Sequence, residues 1–196
     1  MAGGGGGGVV GSFLLFAVFV LLLVSTISSP IVRQISFLDV NEGVDRTTFG
    51  VFGYCSPEAC QRQLGYNLPN AVATFDGEVW PNDNIVNWTR VLVLHPVATA
   101  LAFIAFICAI FSHRIGCLTV TIAALAFIVS LFTTAIDFAI FTVVRNEVND
   151  RGGFNVSATY GHAIWLSLAA TVILFCSIFT VSLSCRAARR ERLAED

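Results

Sequence analysis

The chain has 196 residues, of which 56% are hydrophobic and only 12% charged, and it carries a net charge of −2. That balance excludes an ordinary soluble domain, and the lack of a basic excess excludes nucleic acid as a partner. The apolar residues gather in long uncharged blocks, which places the chain in a lipid bilayer.

In chain order, residues 1–8 contain an unbroken run from Gly3 to Gly8 and read as a flexible leader. Residues 9–29 form a first span without charge. Its polar end, 25–29, admits a cleaved signal peptide. No basic region precedes it, however, and the apolar stretch is long for a signal, so a retained helix is expected. Residues 30–90 are too long for a plain connector. Within them, 35–40 and 47–52 are rich in β-branched and aromatic residues, and glycines and prolines punctuate the rest, so short strands and turns are expected. A sheet that small has little core of its own. It must rest on the helix ends or be stapled.

Three further spans follow, at 91–111, 117–144 and 161–184, each long enough to cross a roughly 30 Å hydrocarbon core. The third must tilt or emerge at one end. They enclose the connectors 112–116 and 145–160, and the tail is 185–196. The expected architecture is therefore an all-α four-helix membrane bundle with a small β-sheet in its first long loop. Segments 112–116 and 185–196 hold five arginines in 17 residues, whereas 30–90 and 145–160 hold six in 77, with nine acidic residues. This asymmetry puts both termini in the cytosol and the two longer loops outside. Two N-glycosylation sequons, at Asn87 and Asn155, fall in those same two loops.

Orientation decides the chemistry of the cysteines. Cys55 and Cys60 are the pair expected on the oxidising side, where disulfides persist. Closing their short loop contributes about 2 kcal/mol in the chain-entropy model. Two thiols make only half a zinc site, and a redox pair would more typically be spaced CxxC. Cys108 and Cys176 read as reduced, buried thiols. Cys185, followed by Arg186, Arg189 and Arg190, is the juxtamembrane position suited to palmitoylation, with Cys117 second. The arginines beside it suit anionic lipid of the inner leaflet.

The motif Phe49-Gly50-Val51-Phe52-Gly53-Tyr54-Cys55, its second cysteine Cys60, Gly65-Tyr66, and Leu94-His95-Pro96-Val97-Ala98 opening the second span resemble the fungal PalI family. That family includes eisosome-associated relatives and belongs to the claudin-type superfamily. The resemblance covers essentially the whole chain. It implies a plasma-membrane auxiliary of ambient-pH signalling that helps a multi-span pH receptor reach or work at the cell surface. PalI proteins typically carry a long cytoplasmic tail, whereas twelve residues follow the fourth span here, which fits a shorter organiser of membrane domains and cell wall as the alternative.

Polar residues inside the spans are few. Asp137 is the costliest, at roughly 2.5–3.5 kcal/mol for a carboxylate at mid-bilayer on insertion scales. By position it shares a depth with His95, His162, Arg90 and Arg145. One reading is a proton-responsive cluster. The other, which is the expectation, is that Asp137 is paired or hydrogen-bonded to lock the bundle while the histidines sit wet at the interface. Small residues recur four apart at Ala126, Ser130 and Thr134, and again at Ala163, Ser167 and Thr171, as close helix packing requires. Packing within the bundle is the expected use of these rows, and a face for a partner is the alternative. No metal-ligand set, nucleophile motif or phosphate loop is present, so neither an enzyme nor a cofactor is expected. A single intramembrane acid is thin support for a channel or carrier. The expected partners are membrane lipids and another multi-span protein, or a second copy of the chain.

Overall fold

The computed structural model describes residues 5–57, 59–63, 65–66, 89–151 and 156–195. Among the described residues, four helices are long and apolar enough to cross a membrane. They are α1 (Gly5–Thr26), α2 (Leu94–Ile110, entered through a short 3-10 turn at Val91–Val93), α3 (Ser112–Arg151) and α4 (His162–Glu195). α1 packs on α2 and α4, and α3 packs on the same two helices, closing a four-helix ring. Helix begins at Gly5, inside the glycine run expected to be a leader. Residues 112–116 are the first turns of α3 rather than a loop, and α3 continues seven residues past Val144. Backbone hydrogen bonding is satisfied by helix wherever lipid excludes water, and nothing in Arg145–Arg151 (no Gly, no Pro) stops the helix once it leaves the apolar zone.

The inside of the bundle is lined with small residues. Ala98, Ala102, Ala105 and Ala109 of α2 face Ala123 and Ala126 of α3, Ala170 and Leu174 of α4, and Leu15, Val18 and Leu22 of α1. Large side chains such as Phe103, Ile104, Phe132 and Val172 point outward. Between α3 and α4 the two rows of small residues meet directly. Ser130 bonds Thr171 at 2.7 Å, and Thr134 bonds Ser167 at 3.0 Å and Thr171 at 3.1 Å. The rows are therefore used within the bundle, and Ser130, Thr134, Ser167 and Thr171 are all buried.

At one end of the bundle lies a five-stranded antiparallel sheet in the order β4-β3-β2-β1-β5. The strands are β1 (Leu38–Glu42), β2 (Asp45–Gly50), β3 (Gly53–Cys55), β4 (Cys60–Arg62) and β5 (Val156–Tyr160). β1 and β2 correspond to the two expected strands, joined by a tight turn in which Gly43 takes a φ of 60°. β5 comes from the second long connector and pairs along all of β1, from Leu38↔Tyr160 to Glu42↔Val156. Asn149, near the end of α3, bonds both the N–H and the C=O of Ala158 and so holds β5 in place. Gly53 has a φ of 140° where the chain turns from β2 into β3, and a Cβ there would run into the carbonyl of Gln61.

The sheet is not free-standing. Phe37, Leu38, Val40, Phe49, Val51 and Tyr66 form one core with Leu92, Ile140, Phe141 and Val144 of the helix ends. Main-chain bonds add to it, with the N–H of Ala163 on Ser36 O and the N–H of Gly161 on Phe37 O.

Candidate functional site

The family-like motif residues build the underside of the sheet. Phe49 is fully buried and stacks on Tyr66 at 6.3 Å, while Tyr54 leans on both rings at 5.9 Å. The Tyr66 hydroxyl donates to Gly50 O at 2.8 Å. Burial pushes that hydroxyl well above its ordinary acidity range, and the charge of Asp137 adds to the shift. Gly50 has no room for a side chain, because a Cβ there would meet the carbonyl of Ser29. Gly65 is in the left-handed region at a φ of 69° with the Arg90 side chain against it. Cys55 and Cys60 sit directly opposite each other on β3 and β4 and are disulfide-bonded, with Cα atoms 4.0 Å apart. The staple clips the outermost strand to the sheet.

Immediately beneath this sheet lies the arrangement with chemistry in it. His95 is the second residue of α2 and Asp137 lies within α3. Nε2 of His95 and Oδ2 of Asp137 approach to 3.2 Å, with side chains 1% and 0% exposed. The approach is within ion-pair distance but off the line of a hydrogen bond, and no described residue hydrogen-bonds to Nδ1 of His95 or to Oδ1 of Asp137. Phe37 closes the sheet side, edge-on to the imidazole at 5.1 Å and stacked on Phe141 at 5.6 Å. One turn along α2, Thr99 donates to His95 O, and it is also joined to Thr26 of α1 at 2.9 Å. Pro96 occupies the third position of α2, where a missing N–H costs no helical bond.

The structure thus brings together two of the five groups expected at one depth. Asp137 is paired, as expected. His95 is not wet at the interface: helix α2 turns it inward under Phe37. His162 is exposed at the start of α4 and stays apart from the pair. Arg145 lies over the Tyr160 ring at 5.0 Å, and Tyr160 is bonded to Thr142. The buried-thiol expectation is also corrected. Cys176 is exposed on the helix surface and Cys108 is half-buried, both as free thiols. Cys185 is disulfide-bonded. The side chain of Cys117 and the sequon residues Asn87 and Asn155 lie outside the described residues.

A four-span membrane protein whose two long loops fold into one disulfide-stapled sheet, cemented to the helix ends over a buried histidine–aspartate pair, is the class that this fold and site define. The SUR7/PalI family model matches residues 8–177, and the chain belongs to the SUR7/PalI family. Its relatives include the pH-response regulator protein palI/prr-5 of Neurospora crassa, 30% identical over 93% of this chain and 26% of that protein. Another is the pH-response regulator protein palI/RIM9 of Emericella nidulans, 30% identical over 93% of this chain and 33% of that protein. The uncharacterized membrane protein TOS7 of Saccharomyces cerevisiae is 29% identical over 50% of the chain and 17% of that protein. The chain therefore spans a quarter to a third of the length of the two palI relatives.

Proposed function

We propose that this chain is a non-catalytic accessory protein of the plasma membrane that assists an ambient-pH-sensing receptor complex, with both termini cytosolic and the sheet outside. The observation that carries this reading is the alignment of relatives named as pH-response regulators over 93% of the chain. The family match at 8–177 takes in the whole sheet and the pair beneath it. The geometry supports a scaffold. The strands share one core with the helix ends, so a partner gripping either would meet a preorganised surface. His95 and Asp137, at 1% and 0% exposure, have no approach for a substrate. The partner class is another multi-span membrane protein, met in the bilayer alongside lipid.

A strain lacking the protein tests this. The expected result is failure to grow at alkaline pH with the receptor mislocalised. Normal alkaline signalling with patchy membrane domains or wall defects would replace the reading with that of a domain and wall organiser. Ion flux in proteoliposomes holding this protein alone would replace it with a channel or carrier. A mild-detergent pulldown from the wild-type strain identifies the partner, or a second copy of the chain in its place.

A further inference from the structure

We propose that His95 and Asp137 form a one-proton latch, which ties α2 to α3 beneath the sheet while it keeps its proton and loosens the sheet from the helices when alkaline medium removes it. The regulatory sense of this latch rests on the ambient-pH reading above, whereas its physical chemistry rests on the geometry alone. With one proton between them the two side chains are neutral overall, as imidazolium with carboxylate or as imidazole with carboxylic acid. Passing that proton to hydroxide, with water as the product, leaves a neutral imidazole beside a bare carboxylate. A lone buried charge of this kind is strongly destabilising.

The surroundings offer the carboxylate no substitute partner among the described side chains. From the sheet side, Tyr66 is the titratable group whose field reaches Asp137, and its proton is committed to Gly50 O at 2.8 Å. Asp39 is engaged by Ser36 at 2.6 Å and by Arg46 at 2.8 Å. Helix α1 carries no ionisable side chain along Gly5–Thr26. From α4, His162 is exposed, and at the upper end of α3 Arg145 lies over Tyr160. The Arg90 side chain lies against Gly65. The latch is also placed to act on the sheet, because Phe37 touches His95 and Phe141 together. Phe37 also takes part in the main-chain bonds that join β2 and Gly161.

The test is amide hydrogen exchange on the full chain in phosphatidylcholine nanodiscs between about pH 5.5 and 8.5, corrected for the intrinsic pH dependence of exchange. The amides of Phe37, Gly161 and Ala163, which bond Phe49 O, Phe37 O and Ser36 O, report the joint. In the wild type their opening should rise at least roughly tenfold towards the alkaline end. Asp137→Asn, which cannot become a bare charge, should show no such step, and His95→Gln should move its midpoint. A wild type without the step, or the same step in Asp137→Asn, overturns the latch. If Asp137→Asn does not yield folded protein, His95→Gln decides, and an unmoved midpoint overturns the proposal. In cells, Asp137→Asn that grows normally at alkaline pH where the deletion strain fails would remove the latch's regulatory role and leave the accessory role standing.

Discussion

The two halves of this molecule are built on opposite packing rules. Inside the bundle the core between α2, α3 and α4 is mainly alanine, serine and threonine, with Leu15, Val18 and Leu22 of α1 and Leu174 of α4 set among them and Phe103, Ile104 and Phe132 turned outward. At the sheet end the core is Phe37, Phe49, Tyr66, Phe141 and Leu38, all turned inward. The difference follows from the solvent. Lipid tails are as apolar as leucine, so burying a large side chain between helices gains little, and close backbone approach with hydroxyl bonds holds them instead. Above the bilayer, water restores the hydrophobic effect at about 25 cal/mol per Å² of apolar surface, and large rings go inside. His95 and Asp137 sit at the seam between the two regimes.

Substitutions that exchange the two rules break this contrast most sharply. Phe37→Ala empties the centre of the sheet-end core and should cost about 3–5 kcal/mol, read as loss of the disulfide-protected, protease-resistant fold of the sheet. The opposite change, Ala105→Leu, forces bulk into the fully buried α2 stripe and should cost about 1–3 kcal/mol through overpacking, read as a lowered unfolding midpoint in mild detergent. Replacing Cys55 and Cys60 together by alanine should remove about 2 kcal/mol. The loss should stay local, with faster proteolysis at residues 53–62 and an intact helix bundle. Asn149→Ala frees the β5 main chain and should cost about 1 kcal/mol, seen as faster exchange in 156–160 ahead of 38–42. Least affected should be Ser130→Ala, at about 0.6 kcal/mol, the average for hydrogen bonds between membrane helices.

Tyr66 adds a pH dependence of known sign. Its folded pKa is raised above the unfolded value near 10, so the folded state favours the neutral phenol. Stability from this group is therefore constant below about pH 10 and falls as pH climbs beyond it. Tyr66→Phe should flatten that fall in a detergent unfolding series, at a small constant cost from the lost bond to Gly50 O.

The spans were legible because long uncharged blocks have few other uses, and the Cys55–Cys60 staple because the orientation expected from the arginines left one pair on the oxidising side. The bridge between the two loops was not. Val156–Tyr160 alternates as a strand should, but its pairing with Leu38–Glu42 joins segments more than a hundred residues apart, and local pattern carries no such information. The same limit applied to the pair. Sequence gives depth along a helix and could place Asp137 level with His95, His162, Arg90 and Arg145. It does not give the rotation of each helix about its axis. That rotation buries His95 against Phe37 and leaves His162 exposed. The third span was expected to end at residue 144, and the helix runs on to Arg151 because leaving lipid does not itself end a helix.

His95 of α2 and Asp137 of α3 meet between the two cores. A double-mutant cycle with His95→Gln and Asp137→Asn, scored by unfolding of the full chain in nanodiscs at neutral pH, measures how strongly the two side chains hold one another. A joined pair predicts a coupling of roughly 1–3 kcal/mol, with the double variant far less damaged than the sum of the singles. Additive effects, within about 0.5 kcal/mol, would show that the two side chains do not act together and that His95 and Asp137 do not join the cores.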